Sequence, residues 1–299
     1  MKTLISIVGT TGIGKTRLAI DIAKHFGSEI ISCDSRQFFK EMKIGTAAPT
    51  DKELSEVTHH FIGNLSVDDY YSIGQFEMDA LAKLDELFLK HDTVIMVGGS
   101  MMYEKAVIEG LNDLPEADEQ NQKKLEKIWK EGGIEKLQEL LKNLDEDYYN
   151  LVDKDNPRRL LRAIDVIWQT SQKYSALISE PKNKRTFQTI RIGIEAPREI
   201  IYERINTRVD KMMEAGLLDE VKSLIQFRDN VALQTVGYTE IFKYLDNKWG
   251  LDFAVSEINK NSRRFAKRQL TWYRKEENIH WVSFENSKEE ALSLLNKLM

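Results

Sequence analysis

The 299-residue sequence predicts an α/β fold, in which a parallel sheet carries helices on both faces and a helical domain is inserted into the chain. Three observations support this prediction. Short runs of branched apolar residues alternate with segments whose apolar residues recur at helical spacing. Polar segments directly follow three of these runs. A long stretch of charged, helix-forming sequence then separates the third run from the fourth.

Each predicted element rests on the spacing of its apolar residues. After a first strand at LISIV, Leu18, Ile22 and Phe26 recur at helical spacing, and Gly27 ends that helix. The segment EIISCD barely alternates between apolar and polar residues, which is typical of a strand buried on both faces. The same two patterns predict a helix from Ser72 to about Lys90, strands at residues 93–97, 189–196 and 280–284, and helices at about 198–227, 252–275 and 287–298.

The character of the sequence changes after Leu114 and Pro115. Acidic residues outnumber lysines in the segment that follows, and strand-like sequence returns only at Thr189. We therefore predict that residues 1–112 and 189–299 form the α/β core with C-terminal helices, and that residues 113–188 form a helical insertion domain.

The composition argues against several classes of protein. The net charge is −5, so a polyanionic partner would have to bind local basic patches rather than the protein as a whole. The single cysteine, Cys33, rules out an internal disulfide. No apolar stretch approaches the length of a membrane span, and the N-terminus does not resemble a signal peptide, so we expect a cytoplasmic protein without a membrane partner.

Polar segments follow three of the predicted strands: GTTGIGKT, DSRQ and GGSMMY. Because ligands of parallel sheets collect at the carboxyl ends of the strands, these segments predict one shared site. The first segment fits the phosphate-binding pattern G-x-x-x-x-G-K-S/T, and it lies between a strand and a helix as that pattern requires. It predicts a P-loop that binds a di- or triphosphate through Gly9, Thr10, Thr11, Gly12, Ile13, Gly14, Lys15 and Thr16.

Two kinds of chemistry are open to a P-loop in this context. Nucleotide hydrolysis usually needs an acidic residue at the end of a neighbouring strand, where it positions Mg²⁺. The strand at residues 93–97 is followed by glycines and has no such carboxylate, whereas EIISCD ends in Asp34. Asp34 could bind a metal, as could the Thr16 hydroxyl, or Asp34 could act as a general base. On these residues alone a phosphotransferase is slightly favoured over other pyrophosphate chemistry.

Eight segments, in order and over most of the chain, resemble one family, the tRNA dimethylallyltransferases (tRNA isopentenyltransferases). They are GTTGIGKT, IISCDSRQFFKEMKIGTAAP, VTHHFIG, VGGSMMY with AVIEGL, DNPRRLLRAIDV, INTRVDKMMEAGLLDEV, TVGYTEI and FAKRQLTWYR. The chain departs from the family pattern at five positions: Thr10 replaces a usual proline, Phe39 a common tyrosine, and Ser100, Met101 and Met102 a usual threonine, glycine and leucine, so that Ser100 keeps the hydroxyl. The resemblance implies a prenyltransferase that acts on tRNA.

The resemblance implies a reaction in which the P-loop binds dimethylallyl diphosphate, with Mg²⁺ as cofactor. The dimethylallyl group moves to the exocyclic amine of the adenine 3′-adjacent to the anticodon, and pyrophosphate leaves. Asp34 matches the family's general base, and Thr11 matches a loop threonine that orients the reacting groups. Arg208 matches an arginine that stabilises the leaving group.

The resemblance also implies contacts with the anticodon stem-loop of tRNA, made in part by the helical insertion. Basic residues interleaved with aromatic ones near the C-terminus suit phosphate contact and base stacking. We expect a monomer. The predicted tRNA-binding residues are Asp34, Ser35, Arg36, Gln37, Ser100, Arg158, Arg159, Leu160, Leu161, Arg162, Lys267 and Arg268.

Two other functions remain as alternatives. One is an adenylate isopentenyltransferase, which adds the same group to free adenine nucleotides, and the other is a small-molecule kinase with the same P-loop. The helical insertion and the basic C-terminal third favour a macromolecular acceptor, because a free nucleotide needs neither. The missing strand-end carboxylate and the DSRQ segment argue against the kinase.

Overall fold

The computed structural model describes residues 1–179 and 184–299, and its strands form a single sheet in that part of the chain. The six strands are, in chain order, β1 (Thr3–Gly9), β2 (Ile30–Ser32), β3 (His59–His60), β4 (Thr93–Val97), β5 (Gln188–Glu195) and β6 (Ile279–Ser283). Every neighbouring pair is parallel, and the spatial order is β3-β2-β4-β1-β5-β6. The predicted α/β fold with a parallel sheet is therefore confirmed.

Strand β1 occupies the middle of the sheet between β4 and β5, and all of its residues are buried. Its branched apolar side chains suit a strand that is covered on both faces. The sequence does not predict β3, because its two residues, His59 and His60, are too few to show any alternation.

The helices predicted from apolar spacing are present with one difference, and the sequence does not predict three further helices at residues 51–56, 101–109 and 238–245. Ser72 starts the helix after β3 with a capping box, since its hydroxyl accepts the Gln75 N–H at 3.1 Å and Gln75 Oε1 accepts the Ser72 N–H at 2.8 Å. In the described residues the α-helices are α1 (Lys15–Phe26), α2 (Asp51–Glu56), α3 (Ile73–Phe88), α4 (Met101–Glu109), α5 (Glu119–Leu144), α6 (Glu146–Leu151), α7 (Pro157–Thr170), α8 (Tyr174–Ser179), α9 (Arg198–Glu214), α10 (Leu217–Ser223), α11 (Tyr238–Leu245), α12 (Leu251–Tyr273) and α13 (Ser287–Leu298). The single helix predicted at about 198–227 is wrong, because Gly216 adopts φ 97° between α9 and α10.

The chain forms two compact units. The first comprises Met1–Ile108 with Arg185–Met299 and contains the whole sheet, and the second comprises Glu109–Lys184 and contains α5 to α8. These bounds differ by a few residues from the helical insertion predicted at residues 113–188, of which residues 180–183 lie outside the described residues.

The second unit is helical around an apolar core of its own. Leu125, Leu141, Leu160 and Ile164 are all fully buried there or nearly so. Helix α5 is interrupted at Gly133, whose φ of 67° and ψ of −171° are not helical. Across residues 1–179 and 184–299, no helix combines the length and the apolar character that crossing a bilayer requires.

A separate apolar core of the first unit lies among α10, α11 and α12. Leu217, Val221, Tyr238, Phe242 and Ile258 belong to it, and each is at most 4% exposed. This core also contains residues from the segment between β2 and α2, which carries part of the site described below.

Arg185 connects the two places where the chain leaves and re-enters the first unit. Its guanidinium donates to the carbonyl oxygens of Val107 at 2.8 Å and Ala106 at 2.7 Å, and it also contacts the Glu77 carboxylate. The residues directly before and after the second unit are therefore held next to each other by side-chain contacts within the first unit.

Candidate active site

The P-loop lies between β1 and α1 and depends on three glycines. Gly9, Gly12 and Gly14 have φ values of 139°, 78° and 108°, which residues with a side chain rarely adopt. At Gly9 space is limiting as well, since an added Cβ would lie 3.1 Å from the Ile194 carbonyl oxygen. The loop leads into the N-terminus of α1, where unpaired backbone N–H groups and the helix dipole favour an anion.

The P-loop opens onto a cavity of about 1220 Å³ within the first unit. Residues from the segments after β1 and β2, and from α9, meet in its wall although they are far apart in sequence. The sequence-predicted site residues that line this cavity are Thr11, Gly12, Gly14, Lys15, Thr16, Asp34, Gln37 and Arg208. The structure therefore brings the predicted catalytic residues to one place.

Lys15 is the cation of the P-loop, and its ammonium group donates to the Thr10 carbonyl oxygen at 2.8 Å. Loss of hydration lowers the pKa of Lys15 from 10.5 to about 8. The Asp34 carboxylate opposes this shift and the Arg208 guanidinium adds to it. Lys15 and Arg208 are therefore two buried cations in one cavity wall, and an anion bound between them would replace part of the hydration that they have lost.

Asp34 follows β2 and presents its carboxylate to the same cavity. Its Oδ1 atom accepts the Arg36 backbone N–H at 3.1 Å, which is the one hydrogen bond to this carboxylate in the described part of the chain. An added Cβ at Gly99 would lie 2.9 Å from Asp34 Oδ2, so the glycine after β4 leaves room for the carboxylate. Most of the lone pairs of Asp34 thus remain available to a ligand.

Ser100 connects the segments that follow β2 and β4. The Ser35 backbone N–H donates to Ser100 Oγ at 2.9 Å, and the two hydroxyl oxygens are also 2.9 Å apart. The side chain of Arg36 donates from Nη1 to the Val231 carbonyl oxygen at 2.9 Å. Ser100 therefore supports the turn that carries Ser35 and Arg36.

Arg208 reaches the cavity from α9, and its position depends on a loop carbonyl. Its Nη2 atom donates to the Thr46 carbonyl oxygen at 3.0 Å. Gln37 Nε2 donates to the carbonyl oxygens of Thr46 and Ala47, each at 3.3 Å. Burial lowers the pKa of the Arg208 guanidinium, and the Asp34 carboxylate partly offsets this effect. The same loop thus orients two predicted site residues.

Gln269 is a site residue that the sequence reasoning missed. It is fully buried on α12, where its Oε1 atom accepts the Thr11 backbone N–H and its Nε2 atom donates to the Gly99 carbonyl oxygen, both at 2.8 Å. Gln269 therefore joins the P-loop to the glycines after β4. One signal could have revealed it, since Ala266, Gln269 and Tyr273 recur at helical spacing and place an amide on an otherwise apolar face.

Some predicted residues lie outside the cavity wall. Thr10 and Ile13 are each 1% exposed and do not line the cavity, so their side chains are not placed to contact a diphosphate. Leu160 is 0% exposed in the core of the second unit. The prediction that the Leu160 side chain contacts tRNA is wrong, because its position on the inner face of α7 is an apolar packing position.

The other predicted tRNA-binding residues of the second unit lie on α7 as well. Arg158 and Arg159 are exposed, and Leu161 is half-buried. Arg162 is also half-buried and lies 3.4 Å from the Asp165 carboxylate, with a further contact to a backbone carbonyl. Two arginines of this helix therefore face solvent, and the third is held by the protein.

On α12 the predicted tRNA-binding residues Lys267 and Arg268 are both exposed. The Arg268 guanidinium lies 5.6 Å from the centre of the Phe265 ring, a distance typical of a cation–π contact. This end of α12 thus presents positive charge beside an aromatic side chain.

The arrangement in the large cavity suits transfer of a group away from a diphosphate. Glycine N–H groups, Lys15 and Arg208 provide positive charge around one region, and Asp34 provides a carboxylate in the same cavity. The carboxylate can accept a proton from an incoming nucleophile while the cations stabilise the departing anion.

Comparison with known proteins supports this chemistry. A family model described as IPP transferase matches residues 37–276. The chain is 52% identical over 286 residues to a tRNA dimethylallyltransferase of Christiangramia forsetii, covering 95% of each chain. It is 46% identical over 305 residues to a tRNA dimethylallyltransferase of Flavobacterium psychrophilum, covering 100% of this chain and 99% of the relative.

Solved structures give the same result. The full-length tRNA isopentenylpyrophosphate transferase of Bacillus halodurans is 33% identical to this chain, with a TM-score of 0.74 and coverage of 100% of this chain and 97% of the other. A eukaryotic dimethylallyltransferase acting on tRNA has a TM-score of 0.87 over 100% of this chain and 79% of the other, and at 24% identity it supports the fold alone.

Proposed function

This chain belongs to the IPP transferase family, and from that premise we propose that it transfers a dimethylallyl group from dimethylallyl diphosphate to tRNA. The acceptor is the exocyclic amine of the adenine 3′-adjacent to the anticodon, and the second product is pyrophosphate. One observation carries the proposal at the level of residues, namely that the P-loop, Asp34 and Arg208 line a single cavity.

Stabilisation of the leaving pyrophosphate is the first task of the site. As the bond between the allylic carbon and the diphosphate oxygen breaks, negative charge accumulates on the diphosphate. We assign the contacts with that charge to Lys15, the backbone N–H groups at the start of α1 and the Arg208 guanidinium, because all of them line the cavity. Thr11, in the same cavity wall, orients the reacting groups.

Activation of the nucleophile is the second task. An amine on an aromatic base is a weak nucleophile, because its lone pair is delocalised into the ring. Asp34 accepts the proton that this nitrogen loses as the new carbon–nitrogen bond forms. Ser35, Arg36 and Gln37 follow Asp34 directly and contact the target adenosine, which has to leave the stacked anticodon loop to enter the cavity.

Thr16 and the diphosphate oxygens would hold Mg²⁺ in this site. Thr16 lines the cavity at the start of α1, and its hydroxyl forms no hydrogen bond to the described residues. Hydroxyl and phosphate oxygens are the hard ligands that Mg²⁺ prefers, so the donor set fits this ion. When bound, Mg²⁺ would neutralise part of the charge on the pyrophosphate.

The macromolecular partner we propose is the anticodon stem-loop of tRNA. Exposed basic residues on α7 and α12 supply positive charge on a chain whose net charge is −5. We also propose that the protein acts as a monomer in the cytoplasm.

The experiment that tests this function compares two labelled donors and two acceptors. Labelled dimethylallyl diphosphate and labelled ATP are incubated separately with the protein, and each is offered tRNA and AMP. We expect label on tRNA from dimethylallyl diphosphate alone. Label on AMP would support the adenylate isopentenyltransferase instead, and transfer of a phosphate from ATP would support a kinase.

The affinity for a diphosphate is expected to fall as the pH rises through about 8. The pKa of Lys15 in the free protein is about 8, so above that pH the ammonium loses the charge that attracts the ligand. At one pH unit above this pKa about a tenth of the molecules retain the charge, so the affinity falls by up to about tenfold. Calorimetry with a nonreactive thio-analogue of dimethylallyl diphosphate measures both the affinity and the accompanying proton uptake.

The matched control for this titration is Lys15→Arg, whose guanidinium stays charged over the same pH range. Its affinity is expected to be weaker than that of the parent at neutral pH, because a planar guanidinium does not reproduce the contacts of a compact ammonium group, but to change less between pH 7 and 9. An identical pH dependence in parent and variant would contradict the assignment of this titration to Lys15.

Removing the two exposed arginines of α7 is expected to weaken tRNA binding in a salt-dependent way. Arg158→Ala with Arg159→Ala should lower the affinity for an anticodon stem-loop and reduce the slope of log affinity against log salt by about one unit or less per contact. Binding of a diphosphate should not change. Titrations at several salt concentrations measure the slope.

A charge-matched control separates this effect from a general loss of positive charge. Lys123→Ala with Lys127→Ala removes the same charge from α5, where both lysines lie beside glutamates of the same helix. The control should leave the slope unchanged. Equal slopes for the arginine variant and the parent would mean that the RNA does not contact this part of α7.

A further inference from the structure

We propose that Glu220 and Tyr238 are positioning residues, which fix the loop at residues 42–48 so that its carbonyl oxygens hold Arg208 and Gln37 in the cavity. The inference rests on the proposed function, in which Arg208 contacts the diphosphate. Neither Glu220 nor Tyr238 lines the cavity, so both act through the loop. We call this arrangement the carboxylate–tyrosine clamp.

The carboxylate of Glu220 accepts three hydrogen bonds. It accepts the Ile44 backbone N–H at 2.7 Å on Oε2, and the Gly45 backbone N–H at 2.8 Å on Oε1. The Tyr238 hydroxyl donates to Oε1 at 2.6 Å. Glu220 lies on α10 and Tyr238 on α11, so two helices hold one short stretch of the loop. Hydrogen bonds to a charged group are stronger than neutral ones, which makes this attachment firm.

Tyr238 contributes to the clamp in two ways. Its hydroxyl remains a hydrogen-bond donor at all ordinary pH values, and its ring leaves room only for glycine at position 45 of the loop. Burial, together with the Glu220 carboxylate, raises the pKa of Tyr238 well above its usual range. The ring is 0% exposed, and an added Cβ at Gly45 would lie 2.5 Å from it. The clamp therefore combines a directional contact to the carboxylate with a close steric fit between ring and loop.

The loop needs such an attachment, because its conformation is not one that its residues prefer. Ala47 has φ 43°, in the left-handed region that residues with a Cβ disfavour. Two turns close the loop, with the Ala47 N–H donating to the Ile44 carbonyl at 2.9 Å and the Ala48 N–H to the Lys43 carbonyl at 3.0 Å. The clamped residues, Ile44 and Gly45, thus lie three and two residues before Ala47, the strained residue of the loop.

One atom of the loop in particular connects it to the residues of the cavity. The Thr46 carbonyl oxygen, one residue after Gly45, accepts from Arg208 Nη2 at 3.0 Å and from Gln37 Nε2 at 3.3 Å. In the described part of the chain Arg208 makes no other side-chain hydrogen bond. A displaced Thr46 carbonyl would therefore leave the Arg208 guanidinium without its orienting acceptor.

The test is a double-mutant cycle between Tyr238→Phe and Arg208→Ala, with inorganic pyrophosphate and Mg²⁺ as the probe. Tyr238→Phe keeps the ring and removes one hydroxyl. It should weaken pyrophosphate binding about tenfold and raise the KM for dimethylallyl diphosphate more than it lowers kcat. In the Arg208→Ala background the same substitution should have less than a twofold effect, because the group it positions is gone.

Two further variants, together with thermal unfolding, distinguish loss of the clamp from loss of folding. The three donors bind both carboxylate oxygens of Glu220, and in Glu220→Gln only one of these oxygens remains as an acceptor. This variant should therefore reproduce the effect of Tyr238→Phe. Tyr244→Phe removes a hydroxyl from the same helix that makes no hydrogen bond to the described residues, so it should bind pyrophosphate like the parent. Thermal unfolding establishes that each variant is folded at the assay temperature.

The outcomes separate the clamp from the proposed function. An equal effect of Tyr238→Phe in both backgrounds would mean that the clamp only stabilises the fold, and unchanged pyrophosphate affinity in both Tyr238→Phe and Glu220→Gln would overturn it. If the parent protein transfers no dimethylallyl group yet the coupling to Arg208 is observed, the proposed function fails and the clamp stands.

Discussion

Asp34→Asn is expected to slow single-turnover dimethylallyl transfer by about 100-fold or more, while the affinity for tRNA changes little. The amide cannot accept the proton that the exocyclic amine loses. It keeps the size of the carboxylate and an oxygen that can still accept the Arg36 N–H, so the turn after β2 should persist. Rapid mixing of preformed enzyme–tRNA complex with labelled dimethylallyl diphosphate measures the rate of the chemical step.

Asp51→Asn is the matched control, because it removes the same charge from another residue of the cavity wall. We expect its rate to stay within a few-fold of the parent. A slow Asp51→Asn variant would show that the transfer rate depends on the total charge of the cavity wall rather than on Asp34 in particular. A parent-like rate for Asp34→Asn would rule out its role as the general base.

Arg208→Ala is expected to weaken binding of the nonreactive diphosphate analogue by about 10- to 100-fold. The substitution removes a charge-assisted contact of about 1.5–3 kcal/mol. The loss should be larger for transfer than for binding, because negative charge on the diphosphate grows as the bond breaks. Analogue affinity and kcat/KM for dimethylallyl diphosphate measure the two effects.

Arg198→Ala provides the comparison from the same helix. Its guanidinium stacks on Tyr202, 4.9 Å from the ring centre, and it does not line the large cavity. The analogue should bind this variant as tightly as the parent. If Arg208→Ala also binds the analogue with parental affinity, the diphosphate lies elsewhere in the cavity.

The parts of the fold that depend on local sequence could be predicted well. β1, the P-loop and α1 form a unit whose glycines and lysine are recognisable without any other part of the chain. The alternation of apolar runs with helical spacing likewise predicted the parallel sheet. Asp34 could be placed at the site because strand ends of such a sheet lie on one edge.

Features that depend on distant contacts could not be predicted in the same way. Gln269 becomes a site residue only because α12 packs against both the P-loop and the segment after β4. Glu220 and Tyr238 look like an ordinary surface acid and an ordinary core aromatic until the loop at residues 42–48 is placed against them. The break at Gly216 was missed because helical spacing continues through it.

Arg185 has a consequence for how the chain tolerates change in length. Its bonds to the carbonyl oxygens of Ala106 and Val107 close the gap between the two ends of the second unit from inside the first. To the sheet-containing unit, residues 109–184 are therefore one long loop whose ends already meet. The entropy of closing such a loop grows only with the logarithm of its length. Evolution or a protein engineer could lengthen, shorten or exchange the inserted helices at little thermodynamic cost, provided that this arginine is retained.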